Sequence, residues 1–291
     1  MKKFTAVLLC IIMAAGIFSS CSNGGKDNSD SGDITITLDS HYAETDESVS
    51  RAYEKLCNAV IAGESEVKFN IGMSGDVTKL FYTCFPLYSL VSSINYNEDS
   101  TGFKIEYFHS PEEHKEIVSQ FKEKVDSIMA ECEYGKVNIN RYIFNVYQYM
   151  CSNISVDNSV TSTYETIMQS KGVAASINSM FEYIVLLGGG EASHVLNYSG
   201  GGSMISLVKF NGSWLYFDVA SEISEDTKAL TRFAMDRKRA GASYHFTDGE
   251  EVFAVDDGSY SALSSSSSYT AEDDKITVLC DGETEFVLKF N

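Results

Sequence analysis

The residues able to do covalent chemistry are the thiols and imidazoles, and the chain has seven cysteines and five histidines. Cys10 lies inside the apolar N-terminal run and Cys21 just beyond it, which leaves Cys57, Cys84, Cys132, Cys151 and Cys280. An odd number with no close pair is not a disulfide framework. No Cys-x-x-Cys or Cys/His spacing forms a zinc motif, so neither a metal nor an organic cofactor is indicated. Cys57, Cys132 and Cys151 fall on apolar stripes of helical period, where a thiol packs as a small hydrophobe. Cys151 is the alternative nucleophile to keep in view, and it would need a base. His194 starts a strand and reads as a surface or internally satisfied histidine. Tyr244-His245-Phe246 reads as packing at the edge of a cleft.

The most organised stretch runs from residue 171 to 218. It reads Lys171-Gly172-Val173-Ala174-Ala175-Ser176, then an apolar helix with Val173, Ile177, Met180, Phe181, Ile184 and Val185 on one face. Gly188-Gly189-Gly190 ends that helix. Strands follow at Ala192–Leu196, Met204–Phe210 and Trp214–Val219, the last two joined by an Asn211-Gly212 hairpin turn.

This order and spacing resembles the core of the transglutaminase-like superfamily, the papain-like cysteine hydrolases and acyltransferases. The match covers about 50 residues and, more weakly, the preceding helix at 140–152. The resemblance implies a nucleophilic Cys at the N-terminus of the helix, a His opening the second strand and an acid ending the third. A thiol so placed is acidified by the helix dipole and faces free backbone N–H groups. The His takes its proton, and the acid fixes the His tautomer. At the matching positions this chain has Ala174, Ser203 and Asp218. Ala174 has no heteroatom, and Ser176, two residues on, points to another face of the helix. With nucleophile and base both replaced, the catalytic unit is lost, because either change alone removes most of the rate.

The elements that must hold this core read as α+β. Upstream, Ile34, Ile36 and Leu38 alternate as a strand, and Val49 to Ile61 form a helix stopped by Gly63. Val67, Phe69 and Ile71 form a strand, Pro86 breaks the aromatic stretch 75–92, and Phe103 to Tyr107 form another strand. Ser110-Pro111-Glu112-Glu113 starts a helix with a capping box. A second helix places Ile139, Tyr142, Ile143, Val146, Tyr147 and Met150 on one face. Downstream, the spacing predicts a helix near Thr227–Arg237, a flexible linker at Ser264–Ser268, and a β-hairpin from Ile276 to Phe290.

At 291 residues, 44% hydrophobic and 22% charged, the chain has ample core for a globular fold. Lys2 and Lys3 precede an apolar run, Ala6–Phe18, too short to span a membrane. Phe18-Ser19-Ser20-Cys21 resembles a bacterial lipobox, which implies lipidation at Cys21 after removal of residues 1–20. The polar stretch to residue 33 is then a tether. Loss of Lys2 and Lys3 with the leader takes the net charge from −19 to −21. A surface so acidic, with no basic cluster, repels nucleic acid and anionic headgroups.

The resulting expectation is an extracytoplasmic lipoprotein, lipid-anchored to a bacterial membrane at Cys21. An N-terminal α+β region at 34–135 packs on a transglutaminase-like core at 136–250. A Ser-rich linker and C-terminal hairpin occupy 251–291. The expected function is a catalytically inactive binding or scaffolding module for a peptide, a protein or a cell-wall fragment. The alternative is an active cysteine protease, amidase or acyltransferase using Cys151.

Overall fold

The computed structural model describes residues 34–197, 203–225, 229–244, 253–256 and 258–290, and the chain from Asp33 onward forms one compact unit. The leader, the tether, Cys21, His245 and Phe246 lie outside the described residues. Asp46 and Gly63 bracket the first helix, α1 (Glu47–Ala62). The Asp46 carboxylate accepts from the Ser48 N–H, and Gly63 takes the left-handed conformation, φ 70°, that closes the last turn. Strands β1 (Glu66–Lys68), β2 (Val91–Tyr96) and β3 (Gly102–Tyr107) form an antiparallel sheet in the order β1-β3-β2, with α2 (Ser74–Cys84) inserted between the first two. Pro86 stops α2 and opens a short 3-10 turn.

The capping box at Ser110 forms in both directions and starts α3 (Pro111–Glu131). Then come α4 (Ile139–Asn153), β4 (Ser155–Val156), α5 (Thr163–Gln169) and β5 (Lys171–Gly172), β4 and β5 pairing in parallel. Helix α6 (Ala174–Leu187) follows, packed on an antiparallel sheet of β6 (Ala192–Asn197), β7 (Ser203–Phe210) and β8 (Ser213–Phe217). Asn211 and Gly212, at φ 48° and 81°, make the tight turn that their types demand.

Alternation along this sheet explains why α6 is held firmly. Val208, Phe210, Leu215 and Phe217 join the core that contains α6, while Ile205, Leu207 and Tyr216 pack on the other face with Met235 and Tyr244. Tyr147 of α4 meets Phe181 of α6, Phe217 and Phe233 edge-on at ring separations of 5.0–6.2 Å. Each such fully buried ring contributes roughly 1.5–3 kcal/mol over exposure. The fold is mixed α+β, with antiparallel pairing in its three larger sheets.

Four expectations are corrected. Ile34–Leu38 is not paired into a sheet among the described residues, and Thr37 within it and Asp39 just after it are buried more deeply than its isoleucines. The strand read through Phe69 and Ile71 stops at Lys68, because the Asn70 side chain accepts from the Gly72 N–H and starts a 3-10 turn. Of the helix expected near Thr227–Arg237, residues 227 and 228 lie outside the described residues and 229–236 are not helical; helix falls earlier, as α7 (Val219–Glu225) directly after Asp218. Leu230 and Ala234 have positive φ and Met235 bridges to Tyr216, so helix resumes only at α8 (Arg237–Gly241).

Fourth, the serine run is no linker. It closes a 3-10 turn and enters β9 (Ser266–Ala271), which pairs with β10 (Lys275–Cys280), itself paired with β11 (Thr284–Lys289). The expected hairpin is therefore two strands of a three-stranded sheet. Ile276, Val278, Leu288 and Phe290 belong to the main core, and Asn211 Nδ2 donates to the Lys289 carbonyl at 2.7 Å.

Candidate functional site

The entry to α6 is built by Gly172. A Cβ at that position would overlap the Thr166 and Ser176 hydroxyls, so only glycine lets α5 and α6 approach this closely. Val173 is the N-cap residue and supplies no side-chain cap, which leaves the first N–H groups of α6 without the usual oxygen. Ala174 heads the helix, half-buried, its methyl packed against the core. Ser176 is buried, with its hydroxyl 2.8 Å from Thr166 Oγ1 and 3.1 Å from the Val173 carbonyl, so it is committed to the α5–α6 junction.

Asp218 lies immediately after β8 and is 3% exposed. Its carboxylate accepts from the Ser221 N–H at 3.1 Å and hydroxyl at 2.7 Å, which caps α7. It also accepts from Tyr244 Oη at 2.8 Å and Asn178 Nδ2 at 3.2 Å. Burial first, then the Asp218 charge, pushes the Tyr244 phenol well above its ordinary range.

Asn178, one turn beyond Ala174 and fully buried, ties the three matching positions together. Besides Asp218 it reaches the Met204 carbonyl at 2.7 Å, next to Ser203, and its own carbonyl accepts from Ser206 Oγ at 3.1 Å. Ser203 opens β7 opposite Asn197; its side chain lies outside what the structure describes. The helix start, the β7 start and the β8 end therefore converge. Position 174 there carries no nucleophile, and Asp218 is saturated with donors.

Cys151 lies on α4, and burial, with the nearby Glu222 carboxylate adding, pushes its thiol far up, the reverse of what a nucleophilic thiolate needs. All five described cysteines are free.

A second polar cluster sits farther along α6. His194 Nδ1 is 3.1 Å from Asp39 Oδ2 and 3.6 Å from Glu182 Oε2. Burial alone would lower the His194 pKa, but hydrogen bonds to Asp39 and Glu182, and their charges, outweigh it and raise it to about 10. Burial raises Glu182 to about 7, against the hydrogen bond and charge of His194. His194 is thus internally satisfied and is not a free base.

These three residues line a cavity of about 210 Å³ that continues along α6 past Ser179 to Ala175 and Ser176, and includes Met204, the neighbour of Ser203. Tyr82 and Tyr88, packed edge-on at 5.8 Å, also line it, with Tyr82 half exposed. Cys84 faces the same cavity, its thiol pushed up to about 12, chiefly by burial.

Asp39, Glu182 and Asn178 escape a reading by spacing. One signal does exist: Glu182 is an acid within the apolar run Met180-Phe181-Glu182-Tyr183-Ile184, where a charge is costly without partners.

No protein-family model matches the sequence, and no curated protein matches it. Among solved structures the chain is similar to a "putative cysteine protease" from Cytophaga hutchinsonii. The two are 19% identical, the overlap covers 34% of this chain and 37% of that one, and the TM-score is 0.28. The chain spans well under half the length of that protein.

Proposed function

We propose that residues 136–250 form a transglutaminase-like core that has lost its chemistry and serves as a binding module. The carrying observation is the convergence of Ala174, the start of β7 and Asp218 around Asn178, with an uncapped helix start and no heteroatom at position 174. The cavity along α6, with two tyrosines among its walls, offers the place for a ligand. Its class, a peptide or cell-wall fragment, is taken by analogy with the substrates of the family. The module would be displayed outside the cytoplasm on a lipid anchor at Cys21. Among the described residues no helix is long and apolar enough to cross a membrane.

The test is an amide-hydrolysis and amine-incorporation assay over a peptide panel, comparing the natural chain with the Ala174→Cys, Ser203→His double variant. A silent natural chain beside an active double variant is the expected result. Turnover by the natural chain would overturn the reading. If that turnover were iodoacetamide-sensitive and lost in Cys151→Ala, it would move the chemistry to Cys151.

A further inference from the structure

The cluster at the far end of the cavity has the makings of a metal centre, and three observations bear on it independently of the transglutaminase-like reading. The first is donor chemistry. Asp39, Glu182 and His194 each present one ligand atom, and these atoms lie within 4.8 Å of one another. Bonds of roughly 2.0–2.1 Å from a tetrahedral zinc ion put its ligand atoms about 3.3 Å apart, and the imidazole-to-carboxylate separations of 3.1 and 3.6 Å straddle that value. One imidazole and two carboxylates is a donor set for a borderline dication such as Zn²⁺ or Mn²⁺, with zinc ahead on intrinsic affinity.

The second observation is an unmet valence. Glu182 is 6% exposed, and its Oε1 is buried without a hydrogen-bond partner, since the neighbouring Ser206 hydroxyl gives its one proton to the Asn178 carbonyl. Thr37, 8% exposed and lining the same cavity, has a buried Oγ1 that is also unpartnered. Buried oxygens without partners are costly, and two on residues that line one cavity mark a place that a cation or its bound water would satisfy.

The third is charge. Two buried carboxylates face one imidazole, so whenever both are ionised a proton on the ring still leaves one negative charge in a low-dielectric site. A dication bound to neutral imidazole leaves none.

We propose that Asp39, Glu182 and His194 bind one divalent transition-metal ion, Zn²⁺ by preference, with its remaining coordination open to the 210 Å³ cavity. Three protein ligands and an open position are the arrangement in which a metal accepts water or an anionic group of a ligand. The centre would then supply a cation for holding a carboxylate in a cavity whose lining includes no Lys or Arg.

The experiment is equilibrium dialysis of the full chain against Zn²⁺ alone, with bound metal quantified by mass spectrometry, beside Glu182→Gln and His194→Gln. Each variant is checked for folding by far-UV circular dichroism. The expected result is one ion per natural chain and an affinity lowered more than ~100-fold in either variant. Because variants can misfold, Co²⁺ is also added to the natural chain, where visible ligand-field absorption without a thiolate charge-transfer band is expected. Absence of stoichiometric zinc, equal uptake by folded Glu182→Gln, or a thiolate band assigning the metal to cysteine would each overturn the proposal.

Discussion

Two buried acidic sites share helix α6, and they have opposite characters. Asp218 receives four donors, from Asn178, Ser221 twice and Tyr244, and it is not among the residues that line the cavity. Glu182, one turn beyond Asn178, keeps a buried oxygen with no partner and lines open space. The Asp218 site is thus filled with hydrogen bonds, whereas the Glu182 site retains unmet valence and volume. The unfilled hydrogen-bonding capacity points to where a ligand would go.

The contrast breaks most easily at Asp218. Asp218→Ala strands the Asn178, Ser221 and Tyr244 donors in a buried setting, and a loss of about 3 kcal/mol or more is expected. Urea denaturation would read it as a lower midpoint at unchanged slope. A variant as stable as the parent would mean that Asp218 is not a structural hub. Gly172→Ala comes next, at about 1–3 kcal/mol, since the new methyl meets the Thr166 and Ser176 hydroxyls at the α5–α6 junction. Smaller again is Tyr244→Phe, which removes one hydrogen bond to a carboxylate, about 1.5 kcal/mol.

These effects also mark what the sequence makes legible. Helix α6 and strands β6 to β8 follow from apolar period, glycine stops and the Asn-Gly turn, all short-range signals. The capping box at Ser110 and the glycine stop at Gly63 are equally local. Failures arise where distant partners decide. Ser266 becomes strand because its hydroxyl bonds the Ala229 carbonyl and its neighbours pair with β10. The predicted helix at Thr227–Arg237 gives way because Asp218 caps a helix earlier and Met235 is drawn to Tyr216. The Asp39–Glu182–His194 cluster joins an unpaired N-terminal segment to α6 and β6, a juxtaposition with no spacing to read. Only the acid inside an apolar helix betrayed it.

The remaining prediction sharpens the comparison from the other side. Glu182→Gln keeps shape and removes a charge that the fold holds at a cost, so at pH 7 and with chelator present its stability should lie within about 1 kcal/mol of the parent. The sign of its pH dependence is fixed by burial. The Glu182 pKa rises from 4.5 to about 7 on folding, so the folded chain binds the extra proton across that interval. The group's stabilising contribution is therefore complete below pH 4.5 and is lost as pH climbs through about 7. The parent should weaken over this window relative to Glu182→Gln, and should go on weakening up to about pH 10, because Glu182 is one of the groups that hold the His194 proton. A difference curve that rises with pH would mean that the folded chain favours the ionised carboxylate. Glu182 would then resemble Asp218, and the contrast between the two sites beside α6 would be lost.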